Sequence, residues 1–164
     1  MSLHPAAPGV APIDPRGPRF TAWVTSVVLA VVLVAAPGDL ATALLGVQAA
    51  LFALGVGLGV QRTPLAWLFR TAIRPRLAAP ADLEDAGPPR FAQGVGLGFA
   101  LVGLVGFVSG LDPLGLVATG LALVAALLNA VFGLCLGCEL YLLLRRASTG
   151  STAGERDITV VTTN

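Results

Sequence analysis

Residues 19–39, RFTAWVTSVVLAVVLVAAPGD, decide the fold. The run from Phe20 to Ala36 carries no charge, opens beside an arginine and closes on Pro37-Gly38-Asp39, a turn signal. A bilayer core about 30 Å thick asks for roughly 20 apolar residues of helix. Three more runs follow: Leu40 to Val60, ending at Gln61-Arg62; Phe91 to Leu111, closed by Asp112-Pro113; and Leu114 to Leu144, interrupted only by Asn129, Cys135, Cys138, Glu139 and Tyr141. The expectation is an all-α integral membrane four-helix bundle with helices at about 20–36, 40–60, 91–111 and 114–144. The fourth run exceeds the bilayer core, so it should tilt or carry its last turns out of the membrane.

Composition agrees. The chain has 164 residues, 55% of them hydrophobic and 12% charged, with a mean hydropathy of +0.85. Soluble domains carry about twice that share of charge. A net charge of +1 leaves no electrostatic footprint for nucleic acid, and 6% aromatic residues are few for a stacking platform. Two cysteines three residues apart cannot build a disulfide framework. The single histidine, His4, stands in the N-terminal segment, and no Ser/His/Asp set for hydrolysis is present. No cofactor is implied.

All ten basic residues are arginine. Arg16 and Arg19 precede the first run. Arg62, Arg70, Arg74, Arg76 and Arg90 lie between the second and third, and Arg145, Arg146 and Arg156 follow the fourth. The turns at Asp39 and Asp112 hold none. Under the positive-inside rule, both termini and the central loop are cytoplasmic, and the protein is a multi-pass inner (plasma) membrane protein. Val34-Ala35-Ala36 could end a signal peptide, but Pro37 would sit just after the cut and three membrane runs follow, so the first run reads as an uncleaved helix. Residues 1–13 and 147–164 read as disordered ends of a transmembrane domain spanning 14–146.

The segment Asp14-Pro-Arg-Gly-Pro-Arg-Phe20 returns as Asp85-Ala-Gly-Pro-Pro-Arg-Phe91, an offset of 71 residues. Each copy leads into a hairpin, which suggests two tandem parallel repeats. Arg19 and Arg90 precede interfacial phenylalanines and are placed to snorkel toward headgroups. Between the hairpins, Thr63 caps and Pro64 begins a short amphipathic helix at about 64–74, ended by Pro75 and lying on the cytoplasmic leaflet. Asp82-Leu-Glu-Asp85 reads as a solvated loop. Glycines four apart (Gly55/Gly59, Gly94/Gly98, Gly106/Gly110, Gly133/Gly137) read as packing grooves, where helices approach through their backbones. The alternative to an enzymatic role is a non-enzymatic membrane scaffold or a small transporter-like homo-oligomer held by such grooves, with the cysteines as packing or metal-binding residues. Gln48, Gln93 and Asn129 are expected to hydrogen-bond between helices.

One constellation asks for chemistry: Asn129-Ala-Val-Phe-Gly-Leu-Cys-Leu-Gly-Cys-Glu-Leu-Tyr141. On a continuous helix Cys135, Cys138 and Glu139 share one face, while Asn129, Gly133 and Gly137 form a separate packing face. Thiol or persulfide exchange is one reading, with Glu139 orienting or taking protons and Asn129 and Tyr141 shaping the site. Against it, a pair near a helix C-terminus meets a dipole that disfavours thiolate, and burial and a neighbouring carboxylate disfavour it further. Metal binding by Cys135 and Cys138 is a second reading, although two thiolates are half a tetrahedral site. Small apolar packing residues are a third. Glu139 needs a partner or water, and Arg145 and Arg146 are within one to two turns.

The blocks Ile13-Asp-Pro-Arg-Gly-Pro-Arg-Phe20, Pro88-Pro-Arg-Phe-Ala-Gln93 and Leu128-Asn-Ala-Val-Phe-Gly-Leu-Cys-Leu-Gly-Cys-Glu-Leu-Tyr141 resemble the actinobacterial membrane protein family known as domain of unknown function 4395. The likeness runs from about residue 13 to residue 146. It implies an integral membrane protein without an assigned activity, and it points toward a cytoplasmic thioredoxin-like or sulfurtransferase partner. The arginine distribution, placing the thiol pair toward the cytoplasm, argues against an oxidative-folding catalyst of the outer face.

Overall fold

The computed structural model describes residues 12–80 and 83–153, the last five of these by backbone alone. The calls on residues 1–11, 81–82 and 154–164 lie outside them. Among the described residues there are six α-helices: α1 Arg16–Ala35, α2 Asp39–Leu58, α3 Pro64–Leu68, α4 Gly87–Val108, α5 Asp112–Leu127 and α6 Leu136–Ala153. α3 continues through a π turn, Phe69–Ile73, and a 3₁₀ turn, Arg74–Arg76; α5 continues through a π turn, Leu128–Phe132. Four segments are long and apolar enough to cross a membrane: α1, α2, α4 and the 21 residues Asp112–Phe132. The protein is an all-α four-helix bundle of membrane type.

Each long helix sorts its residues by the 3.6-residue period. On α1, Ala22, Thr25, Ser26, Leu29 and Val32 point inward and are buried. Trp23, Val27, Val31 and Val34 point outward, Val34 at 89% exposure. An exposed valine row of this kind is costly in water and free of cost against lipid tails. α2 packs on α4, α4 on α5, α5 on α1 and α1 on α2, which closes a ring. Its centre holds Leu29, Val32, Ala41, Leu45 and Ala100, all at 1% exposure or less. Gln48, 1% exposed on α2, donates through Nε2 to Thr25 Oγ1 of α1 at 3.4 Å, the interhelical hydrogen bond expected of it.

The tight turns at Asp39 and Asp112 lie at one end of the bundle. Both aspartates occupy the first turn of a helix, where the dipole favours negative charge. The opposite end gathers the arginines. Thr63 caps α3 there, accepting from the Ala66 amide at 3.2 Å, with Pro64 at the first helical position. Phe69 is buried against Phe20, ring centroids 5.9 Å apart, whereas Trp67 is 60% exposed.

Three contacts at this end occur twice, their leading residues 71 apart. Asp14 Oδ1 accepts from the Arg16 amide at 3.0 Å, and Asp85 Oδ1 accepts from the Gly87 amide at 2.9 Å. Phe20 packs on Phe69, and Phe91 on Tyr141 at 5.7 Å. Arg19 donates to the carbonyls of Ala130 and Val131 beyond α5, while Arg90 donates to those of Val56 and Gly57 closing α2. Ile13 and Glu84, themselves 71 apart, exchange both backbone hydrogen bonds in an isolated antiparallel bridge at 2.8 and 2.9 Å. Each arginine thus caps carbonyls left open at a helix end of the other hairpin. Both arginines are exposed at this end while they donate to these carbonyls.

Several boundaries differ from expectation. Ile13, expected in a disordered end, is 7% exposed and bridged. Glu84, expected in a solvated loop, is exposed as expected, and its backbone is the bridge partner. Helix α6 runs through Ala153, past the expected domain end at 146. The expected single helix 114–144 is broken. Gly133 adopts a left-handed conformation (φ 71°), Leu134 and Cys135 are non-helical, and α6 starts anew at Leu136.

Candidate thiol site

The break at Gly133 changes the chemistry of the cysteine pair. A left-handed residue ends a helix, and glycine adopts it without steric cost. The chain then turns and starts α6 with Cys135 as its N-cap: the Cys135 carbonyl accepts the Glu139 amide at 3.0 Å, and its Sγ accepts the Cys138 amide at 3.4 Å. Sulfur here fills the role that Thr63 Oγ1 fills at α3. The pair therefore stands at a helix N-terminus, and the expectation that it stands near a C-terminus is corrected. The dipole objection reverses sign, because a helix N-terminus favours thiolate.

Cys135 and Cys138 are joined in a disulfide, with their Cα atoms 5.1 Å apart. Both are half-buried. Among the described residues no group of three or more His, Cys, Asp and Glu is placed to hold a metal ion. Glu139 is exposed and lies in the first turn of α6, where its charge is favoured. It no longer shares a helical face with Cys135, which is off the helix. Arg145 stacks over the Tyr141 ring at 5.9 Å.

The expected packing face of Asn129, Gly133 and Gly137 is dismantled by the same break. Gly133 is the turn. Gly137 packs on α4, where a Cβ would come within 2.6 Å of Ala92 Cα and 2.7 Å of Ala92 Cβ. Asn129, half-buried in the π turn, joins the cysteines on a common cavity. Tyr141 holds α6 to the start of α4, through Phe91 and against Gly87. Since Gly137 meets Ala92 and Tyr141 meets Gly87, α6 runs antiparallel to α4 and leads away toward the arginine-bearing end.

The cavity has a volume of about 690 Å³. Its polar end holds Arg19, Asp85, Asn129, Cys135, Cys138 and Glu139. Its apolar end holds Phe52, Phe99, Leu121, Ala122 and Ala125. A smaller cavity of about 280 Å³ lies in the first half, lined by Asp14, Gln48, Thr63, Ala66 and Phe69 among others. Gln48 Oε1 and Asp14 Oδ2 are buried there without a protein partner among the described residues. Sequence reasoning missed both cavities. The signal that could have exposed the site was Gly133, read as a packing residue rather than as a helix stop.

Searches against curated proteins and against solved structures find no match. A family model does match, over residues 13–146, covering both arginine-bearing blocks and the cysteine pair with the break that creates its helix cap. The chain belongs to the family described as Domain of unknown function (DUF4395).

Proposed function

We propose that this chain is a membrane thiol-redox accessory in which Cys135 and Cys138 exchange electrons with a soluble dithiol protein of thioredoxin-like type. The observation that carries the reading is the disulfide at the N-terminus of α6, on the rim of a cavity. In the exchange a partner thiolate attacks one sulfur of the pair and the other leaves as thiolate. The second partner thiolate then attacks the mixed disulfide, so the partner departs as a disulfide. The two protons released by the partner's thiols end on Cys135 and Cys138. Sulfur transfer to a sulfurtransferase partner would use the same sulfurs one at a time; the closed pair favours dithiol exchange.

The distribution of arginines supports a plasma-membrane orientation with both termini, and the site, on the cytoplasmic side. With a membrane-impermeant maleimide, inverted vesicles should label at Cys135 and Cys138 after reduction and not after oxidation. Intact cells should label in neither state. Labelling of intact cells would overturn the orientation, and labelling independent of redox state would overturn the exchange.

We also infer that the two hairpins are tandem copies, on the strength of the paired contacts, whose leading residues lie 71 apart and whose ring partners Phe69 and Tyr141 lie 72 apart. Thr63 and Ala66 then correspond to Cys135 and Cys138, and the thiols are an acquisition of the second half. In a variant already carrying Cys135→Ser and Cys138→Ser, the pair Thr63→Cys and Ala66→Cys should close a disulfide under the mild oxidant that closes the natural pair. Mass spectrometry reads this as a loss of two hydrogens. A new pair that stays open while the natural one closes would count against the equivalence.

A further inference from the structure

We propose that the large cavity beside Cys135 and Cys138 is a binding site for a lipid-soluble quinone that takes up the electrons the thiol pair collects. This rests on the thiol-redox reading above and names the electron acceptor. A disulfide that accepts two electrons per exchange must be restored by a two-electron oxidant, and the cavity indicates where that oxidant comes from.

Its volume of about 690 Å³ falls in the range of small-molecule sites, roughly 300–1,000 Å³. One wall follows α4 from Pro88 to Phe99, about 16 Å of helix at 1.5 Å per residue. It therefore reaches from the arginine-bearing end about half-way through a hydrocarbon core of about 30 Å. A site for a water-soluble substrate would not need that depth. The lining is graded to match an amphipathic ring with an apolar tail. Arg19, Asn129 and the two cysteines mark the shallow end, and Phe52, Phe99 and Leu121 the deep end. Leu121 and Val124 both line the cavity and are more than half exposed, at 53% and 54%. On a helix that crosses the membrane, such residues face lipid, so the cavity opens sideways into the bilayer. That is the entry path a lipid-soluble ligand requires. The walls near the opening are small: Ala125 and Ala126 on α5.

The step balances within the named components. The dithiol of Cys135 and Cys138 loses two electrons and two protons and forms one S–S bond. The quinone gains the same two electrons and two protons, and its two carbonyls become hydroxyls. The Asn129 amide and the Arg19 guanidinium are the donors available at the shallow end to receive a carbonyl.

The test uses the full chain, reduced and reconstituted in lipid nanodiscs without oxygen, with decylubiquinone as the probe; its fully substituted ring resists thiol addition. The expected result is one quinol formed for every two thiols lost. Ala126→Leu and Val95→Phe, each adding bulk to the cavity lining on α5 and α4 and leaving both cysteines in place, should slow this reaction by about tenfold or more. Both should leave oxidation by a water-soluble disulfide unchanged, which also shows that they fold. Oxidation by the soluble disulfide with none by quinone would overturn this inference and leave the thiol-redox reading standing. Cavity variants that react with quinone at the wild-type rate would also overturn it. A pair inert to both oxidants would overturn both.

Discussion

Cys138→Ser is expected to abolish two-electron exchange and to leave Cys135 trapped as a mixed disulfide with glutathione. Cys135 is the helix N-cap, its Sγ already accepts the Cys138 amide, and both features stabilise a thiolate there. In the reduced variant the Cys135 thiolate can still attack a disulfide, but no second thiol follows to release the glutathione. The mixed disulfide should persist, with turnover reduced by about a hundredfold or more. Cys135→Ser should instead leave a sulfur without the cap hydrogen bond, reacting slowly and accumulating little adduct. Intact mass after incubation with glutathione disulfide, whose leaving thiol is not tethered and so does not re-attack, reads both outcomes as a glutathione adduct. Equal trapping by the two variants would mean that the α6 cap does not select the nucleophile.

The largest expected loss of stability is at Gly106→Ala. Gly106 is the point where α4 meets the start of α5. An added Cβ would run into the backbone nitrogen of Gly115 and come within 2.8 Å of its Cα. Those atoms are backbone, so relief requires the two helices to separate, which opens the contacts that bury Gly103 and Thr119 beside them. Overpacking of this kind costs about 1–3 kcal/mol. Gly98→Ala is the control, because a Cβ there meets nothing within 4 Å. Removing a glycine from a helix interior should stabilise it by about 0.5–1 kcal/mol. Thermal unfolding in detergent should therefore move the midpoint down for Gly106→Ala and slightly up for Gly98→Ala. Equal shifts would show that α4 and α5 are not in backbone contact.

These two glycines illustrate why spacing alone misleads. Gly94/Gly98 and Gly106/Gly110 have the same four-residue separation. Yet Gly98 faces open space, Gly110 and Gly59 take positive φ at helix ends, and Gly55 receives the Gln93 side chain. A small residue every fourth position tells where a helix could be approached closely, and the partner decides whether it is.

Local rules read the membrane helices from the chain itself. Apolar length, the Pro37-Gly38 turn, the Thr63-Pro64 helix start and the grouping of arginines each depend on residues close together in sequence. The all-α four-helix architecture follows from them because a bilayer admits few other uses for such runs. Residues near Gly133 resisted the same treatment. A glycine inside an apolar run is neutral evidence until something makes left-handed backbone worthwhile. Here that is tertiary: Arg19, from the start of the bundle, receives the carbonyls freed at Ala130 and Val131, and Ala92 receives Gly137. With those partners the helix can stop, and the two cysteines pass from a helix end that opposes thiolate to one that favours it. The membrane character of this protein was determined by its sequence, since hydrophobicity is a property each residue carries with it. The disposition of its thiols was decided by the tertiary structure, since a helix can break inside a bundle only where another segment satisfies the backbone it leaves open.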